Sequence, residues 1–93
     1  MFNLSIVTPA KVFFEAQVSS VMVPGADGSF EVLINHAAII ALLQKGKVRI
    51  IDKEKRHRIC TISEGFFEFS NNKASLLADA ILTEWEDEKR EGY

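Results

Sequence analysis

Ninety-three residues, 47% of them hydrophobic and 26% charged, suffice for one folded domain and exclude both a low-hydrophobicity disordered chain and a collagen-like one. Eleven Lys and Arg against thirteen Asp and Glu give a formal charge of -2, which argues against a protein held on nucleic acid by bulk electrostatics. The single cysteine, Cys60, cannot form an internal disulfide and favours a reducing compartment.

The start of the sequence, Met1 to Val7, lacks a basic segment followed by an apolar one, so no signal peptide is expected. The longest apolar run, Ala37 to Leu43, falls far short of the roughly 20 residues that cross a bilayer. From Met1 to Ala80 short β-rich runs alternate with turn residues, the pattern of an all-β sandwich or barrel. Leu4 and Ile6 predict a first strand that ends at Thr8-Pro9. Val12 to Val23 predicts two short strands. Phe14, Ala16 and Val18 share one face, and a bulge at Ser19-Ser20 shifts the phase before Val21 and Val23. Pro24-Gly25-Ala26-Asp27-Gly28 is a dense turn signal, because Pro fixes φ and Gly tolerates positive φ. Ser29 to Ile34 then resumes a strand, with Phe30, Val32 and Ile34 on one face.

Ala37 to Leu43 reads as an irregular loop entering a short strand. Lys47 to Asp52 and Arg58 to Ser63 flank the charged tip Lys53-Glu54-Lys55-Arg56 and predict a hairpin, with Val48 and Ile50 inward. Gly65 introduces Phe66 to Phe69, read as core. Asn71-Asn72 predicts a turn with left-handed backbone, and Lys73 to Ala80 a further strand, about nine or ten in all. This gives one domain over residues 1–80. Residues 81–93 read as a short acidic tail, partly helical or frayed, in which only Leu82 and Trp85 could form an apolar stripe.

Charge is placed unevenly. Lys45 to Arg58 carries seven bases against Asp52 and Glu54, whereas Asp79 to Tyr93 carries six acids against Lys89 and Arg90. The basic hairpin admits a nucleic-acid-binding barrel as an alternative function, but Phe66, Phe67 and Phe69 lie away from it in sequence. The glycines, at 25, 28, 46, 65 and 92, form neither of the usual phosphate-cradling loops. His36, His57 and Cys60 match no metal-ligand spacing, and in a strand His57 and Cys60 fall on opposite faces. A hydrolase using Cys60 and His36 is the third reading. Cys60, in an alternating strand beside Ile59 and Ile62, is better explained as a small buried apolar residue.

The segments Leu4-Ser5-Ile6-Val7-Thr8-Pro9, Phe14-Glu15-Ala16-Gln17-Val18, Val23 to Phe30 and Asn35-His36-Ala37-Ala38-Ile39 occur in an ordered set. It continues through Gly46-Lys47-Val48-Arg49-Ile50, Ser63 to Glu68 and Ala74 to Asp79, covering residues 3 to 80. This set resembles the epsilon subunit of F-type ATP synthases. The resemblance implies a β-sandwich or flattened barrel of about ten strands. It further implies a non-catalytic subunit of the rotor's central stalk, without a cofactor, on the cytoplasmic side of the bacterial plasma membrane and with no span of its own.

Its implied partners are the gamma subunit and the membrane c-ring. Gamma is expected to meet Thr8, Pro9, His36, Ala37, Ile39 and Leu42, and the c-ring to meet Asp27, Gly28, Ser29 and Phe30. The sequence departs from the family at two places: Asn35 stands where Gly is usual before His-Ala-Pro, with Ala38 in place of the Pro, and Glu64-Gly65 replaces a Gly-Gly pair. Thirteen residues follow Ala80, too few for a pair of helices of about 11 or 12 residues each. A short form that neither autoinhibits by helix extension nor binds ATP is therefore expected.

Overall fold

In a computed structural model that describes residues 1–88, the chain folds into nine strands, with no helix among the described residues. These are β1 (Phe2–Val7), β2 (Val12–Val23), β3 (Phe30–Leu33), β4 (Ile39–Leu43), β5 (Gly46–Asp52), β6 (His57–Ile62), β7 (Gly65–Ser70), β8 (Lys73–Ala78) and β9 (Ile81–Asp87). They hydrogen-bond in the order β4-β7-β8-β1-β2-β5-β6-β9, with β3 also on β2. Every pair is antiparallel except β1 with β8, which join in parallel across almost the whole sequence.

The long strand β2 is the pivot. Its first half pairs with β1 and its second half with β3 and β5, and the β5 register shifts between Val18 and Ser20. That is the bulge expected at the serines, within one continuous strand where two were predicted. The bulge reverses which side faces inward, so Val18, Ser20, Val21 and Val23 are all buried. The sheet thereby folds over itself. Phe2, Leu4 and Ile6 of β1, Phe67 and Phe69 of β7, and Leu76 of β8 share one core with Val48, Ile50, Cys60 and Ile62 of the β5–β6 hairpin. Phe2 and Phe69 meet edge to face at 5.3 Å.

Beyond Ala80 the expected helical or frayed segment is replaced by β9, which pairs antiparallel with β6. Trp85 is the reason. Its indole stacks on Phe13 at 5.6 Å, meets Phe14 edge-on at 5.2 Å and lies under the Arg58 guanidinium at 5.4 Å. A strand lets the side chain reach β2 while neighbours stay exposed. Residues 89–93 of the expected tail lie outside the described residues. The strand predicted through Ile34 stops at Leu33, since Ile34 and Asn35 already form a turn.

The charged hairpin tip is fastened by Asp52. Its carboxylate accepts from the Glu54 and Arg56 backbone N–H groups at 3.0 and 2.9 Å and from Arg56 Nε at 3.1 Å. Burial alone raises its pKa, but the Arg56 amide and charge, with the Glu54 amide, outweigh burial and hold it below the ordinary carboxylate value. The folded chain thus binds this proton more weakly than the unfolded chain. The stabilisation is complete above the unfolded carboxylate's pKa of about 4 and disappears as pH falls through the lowered folded-state value. Asp52→Ala is expected to cost about 2 kcal/mol at neutral pH. In urea titrations that deficit should shrink as the pH is taken well below 4, and a constant deficit would contradict the assignment.

Candidate partner-binding surface

Outward-facing side chains in a sheet line up across strands in register, so the exposed face is built row by row. On the β4-β7-β8-β1 layer, Leu42 lies opposite Phe66, Phe66 opposite Leu77, Leu77 opposite Val7, and Val7 opposite Val12. Leu42 is 67% exposed, Leu77 51% and Val12 58%, giving an apolar row across five strands. The next row along is Ile40, Glu68, Ser75, Ser5 and Glu15, polar apart from its first member. The apolar row is therefore a bounded stripe and not a diffuse face, and an exposed stripe of this kind marks an interaction surface.

The Thr8-Pro9 turn stands at the end of this stripe. Thr8 N–H donates to the Lys11 carbonyl at 2.9 Å and Lys11 N–H to Thr8 Oγ1 at 3.2 Å, which leaves Pro9 exposed at the tip. Turn and stripe share a groove of about 510 Å³ lined by Val7, Thr8, Pro9, Phe66 and Leu77, with Glu64 and Asp79 at its rim. Phe66, read from sequence as core, instead contributes its ring to this outer face.

The loop after β2 forms a second, contiguous feature. Pro24 and Gly25 are buried, while Ala26, Asp27, Gly28 and Ser29 are exposed. Gly25 must lack a side chain, since a Cβ there would sit 2.5 Å from the Gly28 carbonyl oxygen and 3.1 Å from the Phe30 ring. Gly28 takes φ 124°, open to glycine alone at low strain. The Phe30 ring turns inward and meets Phe67 edge to face at 6.0 Å, so it supports the loop while residues 26–29 make its surface. Ala26 N–H donates to the Leu42 carbonyl at 2.8 Å and Gln44 N–H to the Pro24 carbonyl at 2.9 Å. These bonds weld the loop to β4, and a groove of about 700 Å³ runs between Ala26–Ser29 and Ile39–Leu42. Residues assigned from sequence to two different partners thus border one groove.

Of the other residues singled out in the sequence, His36 and Ala37 are exposed in the β3–β4 loop. The His36 ring stands edge-on to Phe69 at 5.9 Å, capping that end of the core. Ile39 is half-buried with its side chain on the inner face, and Ile40 and Leu42 carry the outer one. The sequence reading missed Val7, Phe66, Leu77 and Val12. One signal was available: in Lys73-Ala74-Ser75-Leu76-Leu77-Ala78, adjacent leucines cannot both face the core, and Leu77 falls in phase with Lys73 and Ser75.

Part of the basic stretch that suggested another function is used internally. Arg49 pairs with Glu88 at 2.7 Å, Arg56 with Asp52 and Glu54, and Arg58 covers Trp85. These arginines are thereby committed within the fold. Cys60 is buried opposite Val48, and burial pushes its thiol up to about 12 against the opposing effect of Arg58. A neutral maleimide is expected to label Cys60 only after unfolding in guanidinium; prompt labelling of the native chain at pH 7 would contradict this burial. Among the described residues no cluster of three or more His, Cys, Asp or Glu could hold a metal ion.

Comparison with known proteins agrees with the geometry. The family described as ATP synthase, Delta/Epsilon chain, beta-sandwich domain matches residues 1–84. A protein of Protochlamydia amoebophila named ATP synthase epsilon chain is 52% identical over 81 residues, which are 87% of this chain and 55% of that protein. A Chlorobium limicola protein of the same name is 46% identical over 80 residues, 86% of this chain and 91% of that one. The chain therefore spans about half of the first relative and nearly all of the second. Among solved structures, a chain of the Euglena gracilis mitochondrial ATP synthase (OSCP/F1/c-ring) superposes with TM-score 0.80 at 15% identity, over 86% of this chain and 51% of that one. A chain of the Tetrahymena thermophila mitochondrial ATP synthase central stalk and c-ring gives 0.72 at 13% identity, over 87% and 65%. At such identities the likeness is one of fold.

Proposed function

The chain belongs to the ATP synthase delta/epsilon family through its β-sandwich domain, and on that premise we propose that it is a non-catalytic subunit of the rotor's central stalk, fastening the gamma subunit to the membrane c-ring. The observation that carries the reading is the apolar row Leu42, Phe66, Leu77, Val7 and Val12, which a lone domain has no reason to keep in water. Gamma covers this row, with Thr8-Pro9 at its margin, and reaches His36-Ala37 at the opposite end of the same layer, beyond the polar row. The c-ring meets the exposed Asp27, Gly28 and Ser29. Phe30 and Ile39 act from beneath, holding the loop and β4 in place.

Mechanically, a rotor coupler must resist shear between its two partners. A sheet folded on itself around one continuous strand resists it well, because displacing one layer against the other breaks the β2 ladders on both sides. Catalysis belongs to other subunits, and this one acts on rate by keeping gamma and the ring in step. It sits peripherally on the cytoplasmic side of the bacterial plasma membrane, held there by the complex.

Co-purification of the tagged chain with gamma from the same source tests the reading. Retention is expected at both low and high salt, since an apolar contact is not screened. Loss of gamma under every condition, with the chain folded, would refute it.

A further inference from the structure

The β3–β4 loop, residues 34–38, carries His36 and Ala37 and must bridge two strands on different neighbours. Its local bonds are short-range: His36 N–H donates to the Leu33 carbonyl at 3.1 Å, and His36 Nδ1 lies 2.6 Å from the Ala37 carbonyl oxygen. Its hydrogen-bonded tie to the rest of the fold, among the described residues, is a pair of asparagines 37 positions apart. Asn72 Oδ1 accepts from the Asn35 backbone N–H at 2.7 Å, and Asn72 Nδ2 donates to Asn35 Oδ1 at 3.0 Å. The Asn72 carbonyl also accepts from Asn3 N–H at 3.2 Å, anchoring the β7–β8 turn to β1.

Both residues are left-handed, Asn35 at φ 65° and Asn72 at φ 59°. Asparagine is among the few side-chain-bearing residues that adopt this geometry readily. Glycine would satisfy the backbone at position 35 equally well, but it could not complete the second hydrogen bond. The Asn35 side chain thus supplies something beyond conformational tolerance.

We infer that Asn35 and Asn72 form a clasp that pre-sets the His36-Ala37 loop for its partner, making both asparagines positioning residues for gamma binding. The inference rests on the stalk reading above. A loop held in its bound shape loses less conformational freedom on association, so the clasp acts on affinity more than on folding.

Three forms of the full chain decide the matter: wild type, Asn72→Gly and Asn72→Asp. Gly keeps the left-handed backbone and deletes both side-chain bonds. Asp keeps the acceptor for Asn35 N–H, and its second oxygen can accept from a flipped Asn35 amide, restoring the pair. Asn72→Gly is expected to bind immobilised gamma about tenfold more weakly with little change in melting temperature, and Asn72→Asp to stay within about twofold of wild type. Equal affinity of the Gly variant and wild type would overturn the clasp, as would an Asp variant as weak as Gly. Amide exchange at Asn35 gives a readout independent of gamma: protection in wild type and Asp but not in Gly is expected, and unprotected wild type would overturn the inference. Failure of wild type to bind gamma would count against the stalk role, and the exchange result would then decide the clasp alone.

Discussion

Leu77→Asp is expected to abolish retention by the gamma subunit while the isolated chain stays folded. Leu77 is 51% exposed at the middle of the apolar row, with Phe66 on one side and Val7 on the other. A carboxylate there is solvated in the free chain and costs the fold little. Once a partner covers the row, the charge is buried without a counter-ion, a penalty of about 2–5 kcal/mol, or roughly thirtyfold to several thousandfold in affinity. Leu42→Asp, at the β4 end of the same row, should act in the same direction. Leu82→Asp provides the control, because Leu82 is 49% exposed but lies on β9, at the far end of the strand order from β4. Pull-downs in which Leu82→Asp lost gamma and Leu77→Asp kept it would place the interface on the other layer.

Phe67→Ala is the second large effect, and it falls on stability. Phe67 is fully buried on β7, opposite Ala41 and Leu76, and its ring carries the edge of Phe30. Removing a buried phenylalanine costs about 3–5 kcal/mol through lost transfer and a residual cavity. A domain of this length has roughly 5–14 kcal/mol in total, so the variant should sit near its unfolding threshold at 37 °C. The effect reaches the surface as well, since Phe30 loses the ring that holds the Ala26–Ser29 loop. Urea denaturation should therefore show the large loss, with faster amide exchange across residues 26–30 before global unfolding. A loss below about 1 kcal/mol would mean the core had repacked around the gap.

Much of this architecture was legible because alternation and turn chemistry are local. The Lys47–Asp52 and Arg58–Ser63 hairpin, the bulge at Ser19-Ser20 and the left-handed Asn71-Asn72 turn all follow from residues within a few positions of one another. What escaped was set by distant partners. Ile81–Asp87 has weak strand character by itself, and it becomes β9 because β6 offers an edge and Phe13 and Phe14 offer Trp85 a seat. Phe66 looked like core beside Phe67 and Phe69; its outward aim depends on the alternation set by β7's pairing with β4 and β8. The apolar row is a property of register across five strands, so no window of sequence contains it. Asn35 illustrates the middle ground: its tolerance of positive φ is intrinsic, whereas its partner Asn72 stands 37 positions away.

The parallel pairing of β1 with β8 has a consequence for the order in which the molecule can be made. On a growing chain β1 and β2 can close as a hairpin at once, but the other edge of β1 has no neighbour until residues 73–78 have left the ribosome. Until then that edge offers unpaired N–H and C=O groups flanked by Phe2, Leu4 and Ile6, which is a template for pairing with another nascent chain. Closing a contact so distant in sequence is slow compared with the local hairpins. The domain therefore completes its first layer only once β8 has been made, and the protection of its first strand depends on its eighth.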